Sequence, residues 1–178
     1  MVNKNRAIFL DRDGVISVPI IIKGKTYAPR KFKEFRLYPF VKEYLLKLKK
    51  KNLVLIVITN QPDINNNLVD IDEIKKMHKK LLKIYIDDIF LCPHTKKEIC
   101  KCRKPKTGMI KEAIKKYKID PKKSFLIGDR LIDIQAGIKM NCKNIFIDRN
   151  YNEKKPKKKN IIFVKSFREA AKHVLRYI

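Results

Sequence analysis

Apolar residues in this chain fall into two kinds of stretch that alternate from end to end. Short unbroken runs occur at Ala7 to Leu10, Leu53 to Ile58, Ile89 to Leu91, Phe125 to Ile127 and Ile161 to Val164, and Asn144 to Ile147 is a similar stretch opened by one polar residue. Runs of this length, bounded by turn formers, read as strands buried on both faces of a parallel sheet. Between them, apolar positions recur at helical spacing. One set is Phe40, Val41, Tyr44, Leu45 and Leu48, and a second is Ile71, Ile74, Met77, Leu81 and Leu82. Met109, Ile110, Ala113, Ile114 and Tyr117 form a third, and Phe167, Ala170, Ala171, Val174, Leu175 and Ile178 a fourth. Strands alternating with helices predict an α/β fold with a doubly wound, mostly parallel sheet. Pro39 suits the first turn of its helix and Thr107 its helix cap.

The polar residues that matter stand where the apolar runs stop. The first run opens onto Asp11-Arg12-Asp13-Gly14, two carboxylates spaced i, i+2 with a glycine behind them. In open α/β sheets the carboxyl ends of the strands face the ligand crevice. Two aspartates held there share a divalent cation or take part in a reaction; the plainer alternative is a solvated Asp-Gly turn. The second run ends in Thr59-Asn60-Gln61, which puts a hydroxyl beside the first strand. The run through Ile127 ends in Gly128-Asp129-Arg130, with Asp133 one helical turn further on. After Gly14, the β-branched stretch to Ile22, the turn at Gly24 and the extended piece after it predict a hairpin-like flap over residues 15–36. That is too short for a separate cap domain and leaves the crevice open.

Three of the four cysteines and one of the three histidines lie within eleven residues: Cys92, His94, Cys100 and Cys102. Three thiolates and an imidazole make a closed tetrahedral zinc site, structural rather than catalytic. Disulfides fit an intracellular chain poorly and would strand Cys142. Arg103 and Lys104 follow the last ligand directly, so the zinc loop at 92–102 fixes the position of a cation pair; Lys106 is a second basic candidate. His78 and His173 lie on helical stripes and read as packed or surface imidazoles without a role.

Composition adds two constraints. A chain of 178 residues with 44% hydrophobic content is sized for one domain, 1–178, with a substantial core. No apolar run approaches the roughly 18 residues that span a bilayer, and Asp11 interrupts the only N-terminal apolar segment, so a cytoplasmic protein is expected. The net charge of +26 reads in three ways. Lysine is the default surface residue, or a positive field recruits phosphorylated substrates, or the surface binds nucleic acid.

Together the motifs resemble the haloacid dehalogenase superfamily, most of whose members are Mg²⁺-dependent phosphatases with an aspartate nucleophile. The resemblance covers residues from about 7 to 148 and implies a Rossmann-like sheet with a minimal cap. It makes Asp11 the nucleophile, Asp13 the general acid and base, and Thr59 and Lys104 the groups that hold the phosphoryl oxygens. Mg²⁺ would be held by Asp11, the Asp13 carbonyl and Asp129, while Asp133 orients the loop. Asn60, Gln61, Arg103 and Arg130 would contact substrate. The Cys-His loop is similar to that of the superfamily's heptose bisphosphate phosphatases, which implies a small phosphorylated sugar as substrate. An open site with no obvious apolar patch makes a monomer the expected working unit. Histidinol phosphate phosphatases form a sister branch with the same motifs. The loop Pro62 to Asn67 departs from the pattern, lacking the glycine and arginine that follow Thr-Asn-Gln in relatives. Polynucleotide 3′-phosphatases share the Asp-x-Asp-Gly chemistry but lack the zinc loop. A non-enzymatic polyanion binder would have no need of the full acidic and basic set.

Overall fold

The computed structural model describes residues 4–157 and 159–178. Lys158, inside the basic run 154–159, lies outside the described residues. The chain runs β1 (Ala7–Leu10), β2 (Ile20–Ile22), β3 (Lys25–Tyr27), α1 (Val41–Lys49), β4 (Val54–Asn60), α2 (Ile71–Leu82) and β5 (Asp88–Cys92). It continues through α3 (Gly108–Tyr117), β6 (Phe125–Gly128), α4 (Leu131–Lys139), β7 (Lys143–Ile147), β8 (Ile161–Val164) and α5 (Phe167–Tyr177).

Six strands form one sheet in the order β5-β4-β1-β6-β7-β8, every neighbour parallel. The register sets Leu10 against Val57 on one side and Ile127 on the other, so the motif-bearing strands end level with one another. Successive strand residues point to opposite faces. Ile8, Leu10, Leu55, Val57, Phe125 and Ile127 pack under α1, α2 and α5. Ala7, Phe9, Ile56, Ile58 and Leu126 pack against α3 and α4. Both faces are covered, which is why these strands carry unbroken apolar runs. The chain first winds outward from β1 through β4 to β5, then returns to the other side at β6. The crevice at that switch lies off the carboxyl ends of β1, β4 and β6.

Three local expectations change. The first helix begins at Val41 rather than Pro39, because Phe40 turns into the left-handed region at φ 64° and caps it with backbone alone. Thr107 occupies the cap position of α3 without a side-chain cap bond. The helix start is instead tied to the zinc loop by Gly108 N–H donating to Lys101 O at 2.9 Å. A Cβ at position 108 would collide with that same carbonyl. The flap is a two-stranded hairpin, β2 with β3, but its expected first residues Val15 and Ile16 are fully buried in the core. Among the described residues no helix is long and apolar enough to cross a membrane.

Candidate active site

Each strand that ends at the crevice delivers one part. Asp11 follows β1 and its backbone N–H donates to Ile127 O at 3.0 Å, which fixes the carboxylate beside β6. Gly14 turns the chain away at φ 93°, and a Cβ there would run into the Asp129 carboxylate. Glycine is thus required twice, for the backbone angle and for the approach of Asp129.

Lys104 enters from the opposite side. Its ammonium donates to Asp11 Oδ1 at 2.7 Å and to Ile58 O at 2.8 Å, and pairs with Asp133 Oδ1 at 2.7 Å. Two hydrogen bonds and a second ion pair thus hold the ammonium. The Asp133 carboxylate also accepts from Arg130 N–H at 3.0 Å, so it orients the β6–α4 loop and pins Lys104 together. A side chain at Gly128 would occupy the space Asp133 uses.

The electrostatics show what is missing from a protein-only account. Carboxylate oxygens of Asp11, Asp129 and Asp133 lie within 4.8 Å of one another, all three residues buried. Asp129 Oδ1 has no hydrogen-bond partner. Burial raises the Asp11 carboxyl to about 6 against the pull of Lys104, with Asp133 and Asp13 pushing the same way. Burial and then Asp11 and Asp133 raise Asp129 well above the usual carboxylate range. Burial opposes the Lys104 charge, but Asp11 and Asp133 overcome it and hold the ammonium above its usual value. Three buried carboxylates around one ammonium leave excess negative charge, and an orphaned oxygen points into it. That donor set of hard oxygens fits a divalent cation such as Mg²⁺.

Asp13 has its carboxylate turned away from that trio, toward Arg12, Gln61 and Ser17. Thr59, 1% exposed, accepts from Gln61 Nε2 at 2.8 Å, which leaves its hydroxyl proton to be donated elsewhere. Gln61 gives its other amide proton to Asp13 at 2.8 Å. Asn60 brackets the Lys104 backbone, accepting from its N–H at 3.0 Å and donating to its carbonyl at 3.3 Å. The amides of Asn60 and Gln61, which the sequence suggests as substrate contacts, are therefore engaged with the protein. Arg103 and Arg130 both line the cleft, of about 150 Å³, that opens over Asp11. Arg103 donates to His94 O at 2.7 Å. Arg130 reaches Thr26 on the flap and sits 3.3 Å from Glu153.

The thiol cluster sits where β5 ends. Cys102 Sγ is 3.0 Å from Cys92 Sγ, His94 Nδ1 is 3.2 Å from Cys102 Sγ, and Cys100 Sγ is 4.0 Å from Cys92 Sγ. All four donor atoms lie within 4.8 Å of one another, and none of the cysteines is in a disulfide. Burial, then the neighbouring Cys102, pushes the Cys92 thiol up to about 12. Three thiols and an imidazole converging at these spacings fit Zn²⁺, whose arrival would release their protons.

Residues 19–147 match the haloacid dehalogenase-like hydrolase family. The chain belongs to that family. The chain is 34% identical over 149 residues to D-glycero-beta-D-manno-heptose-1,7-bisphosphate 7-phosphatase of Helicobacter pylori, covering 80% of this chain and 83% of that one. It is also 34% identical over 149 residues to the histidine biosynthesis bifunctional protein HisB of Buchnera aphidicola, covering 80% of this chain but 40% of that protein. The crystal structure of D,D-heptose 1,7-bisphosphate phosphatase from B. bronchiseptica, complexed with magnesium and phosphate, matches 97% of this chain and 99% of its own at TM-score 0.82 and 24% identity. That likeness establishes the hydrolase fold for nearly the whole chain.

Within this hydrolase fold, Asp11, Thr59, Lys104 and Asp129, taken from four separate stretches, come together at one crevice. Sequence reasoning missed two features of the site. Asp133 pins Lys104 as well as orienting its loop, and His78 stands behind the motif, its Nε2 3.3 Å from Arg12 Nη1. The alternation of α2 placed His78 at the margin of its buried stripe, but nothing local linked it to a residue 66 positions away.

Proposed function

We propose that this chain is a Mg²⁺-dependent phosphatase acting on a small sugar phosphate through an aspartyl-phosphate, with D-glycero-D-manno-heptose 1,7-bisphosphate hydrolysed to the 1-phosphate. The observation that carries the reading is the pairing of Asp11 Oδ1 with a buried Lys104 beside two further buried carboxylates. A carboxylate nucleophile must approach an anionic phosphoryl group, and that approach needs concentrated positive charge.

Asp11 attacks phosphorus, and the phosphorus–oxygen bond to the sugar breaks as Asp13 gives its proton to the departing alkoxide. Asp13 then takes a proton from the water that attacks phosphorus, releasing phosphate and restoring the Asp11 carboxylate. The Thr59 hydroxyl donates to a transferring oxygen, and Lys104 holds Asp11 in line and offsets its charge. Asp11, the Asp13 carbonyl and Asp129 would hold Mg²⁺, which would supply charge neutralisation between the two anions. Arg103 and Arg130 carry planar forks suited to a second phosphate. Zn²⁺ at Cys92, His94, Cys100 and Cys102 is structural, holding the loop that leads into Arg103 and Lys104. The unit that works is a cytoplasmic monomer of one domain, and its partner is the small phosphorylated sugar.

Histidinol phosphate is the second reading, supported by the likeness to the bifunctional histidine biosynthesis protein. Phosphate release from heptose 1,7-bisphosphate, histidinol phosphate and a 3′-phosphorylated oligonucleotide, with Mg²⁺ and with EDTA, separates the readings. Mg²⁺-dependent release from the bisphosphate, well above the others, is the expected result. Release from the oligonucleotide alone would make the basic surface the better guide to substrate.

A further inference from the structure

Arg12 is fully buried, an expensive position for a guanidinium unless its charge and protons are matched. Its Nε and Nη2 donate to a single oxygen, Asp13 Oδ2, at 3.0 and 2.9 Å. Its Nη1 lies 3.3 Å from His78 Nε2 and 3.9 Å from Met77 Sδ, both on α2, and the Phe35 ring lies 5.6 Å from the guanidinium carbon. Gln61 adds a third N–H to the same Asp13 oxygen, at 2.8 Å. The other oxygen, Oδ1, accepts from Ser17 Oγ alone among the described groups, at 2.9 Å.

We propose that Arg12, braced by His78, clamps Asp13 Oδ2 so that the acid–base proton is carried on Oδ1, which makes Arg12 and His78 positioning residues for the leaving-group step. The inference rests on the phosphatase reading. Oδ2 faces three N–H donors and has no room for a proton of its own. Oδ1 faces one hydroxyl, and that hydroxyl has a second acceptor, Arg12 O at 3.1 Å. Ser17 Oγ therefore stands between Oδ1 and Arg12 O, with an acceptor on either side. The carboxylate is thus fixed through Oδ2 and only lightly held at Oδ1, the arrangement a positioned general acid needs.

His78 has to accept from Arg12, so its Nε2 presents a lone pair and the ring is neutral. Burial, then the Arg12 charge, lowers its pKa to about 4, in keeping with that role. Without the imidazole, Nη1 loses its stronger acceptor and the fork is free to pivot off Asp13.

The test compares kcat/KM of the Mg²⁺-loaded enzyme on heptose 1,7-bisphosphate, whose alkoxide must be protonated to leave, and on 4-nitrophenyl phosphate, whose phenoxide leaves unaided. His78→Ala and Arg12→Lys should each lower the ratio of the two by about tenfold to a hundredfold, part of what general acid catalysis supplies. His78→Gln, whose amide oxygen stands near the Nε2 position, should recover the ratio to within about threefold of wild type. Equal losses on both substrates, or a ratio that His78→Gln fails to recover, would show a packing role only and overturn the proposal. If the wild-type enzyme hydrolyses neither substrate with Mg²⁺, the phosphatase reading itself falls and the inference falls with it.

Discussion

The acidic crevice and the thiol loop are both clusters of ligand-bearing side chains at the ends of strands, yet they are built in opposite ways. The loop draws Cys92, His94, Cys100 and Cys102 from one short stretch, and it is tied down otherwise by a few hydrogen bonds, such as Asn65 to Glu98 and Arg103 to His94 O. The crevice draws Asp11, Lys104, Asp129 and Asp133 from distant stretches, and the sheet register brings them together before any cation arrives. One cluster offers the soft donors that suit Zn²⁺, whereas the other offers buried hard oxygens whose charge a divalent cation would balance. The loop serves the crevice: Gly108 is bonded to Lys101, and Arg103 to His94, so the thiol cluster fixes where Lys104 begins.

This contrast can be broken at several points, the most severe first. Asp11→Asn removes the nucleophile and should lower kcat for phosphate release by about 10⁴-fold or more while the fold persists, as seen by circular dichroism. Stripping metal from the loop, or Cys102→Ser, should cost on the order of 3 kcal/mol and lower the melting temperature by roughly 10 °C. The same treatment should raise amide exchange across 92–108. If metal loss left the melt unchanged, the loop would not depend on its metal. Asp133→Asn leaves Lys104 with one carboxylate fewer and should reduce kcat by about 10- to 100-fold in steady-state assays.

His78 sharpens the picture through pH. Its folded pKa, about 4, lies below the unfolded value near 6.5, so between those values the unfolded chain binds more protons. Its contribution to stability is present above pH 6.5 and is lost as pH falls toward 4, about 3 kcal/mol in denaturant titrations. In His78→Gln that part of the acid sensitivity should vanish. The smallest effect belongs to Thr107→Ala. With no cap bond to lose, it should change stability by less than about 0.5 kcal/mol in the same titrations.

The same contrast explains what could be read from the chain. The strands and helices were legible because burial on both faces forces unbroken apolar runs, as at Ala7–Leu10 and Phe125–Gly128. The thiol loop was legible because its ligands are neighbours in sequence. The crevice residues could be grouped only through their resemblance to a family, since no periodicity relates Asp11 to Lys104. Asp133's hold on Lys104 and the Arg12–His78 contact were not legible, because each depends on side chains meeting across elements. The helix start expected at Pro39 and the cap expected at Thr107 failed for a related reason. Backbone contacts at Phe40 and Gly108 start those helices, and the residue types nearby do not announce them.

The central claim is that Asp11 carries the phosphoryl group during turnover. Borohydride quenching of the enzyme during turnover of heptose 1,7-bisphosphate with Mg²⁺, followed by peptide mass spectrometry, tests it directly, because hydride reduces an acyl phosphate but leaves a free carboxylate intact. The account predicts reduction of position 11 to homoserine, dependent on substrate and absent in Asp11→Asn. Sustained phosphate release with position 11 unreduced, or reduction at another aspartate, would contradict it.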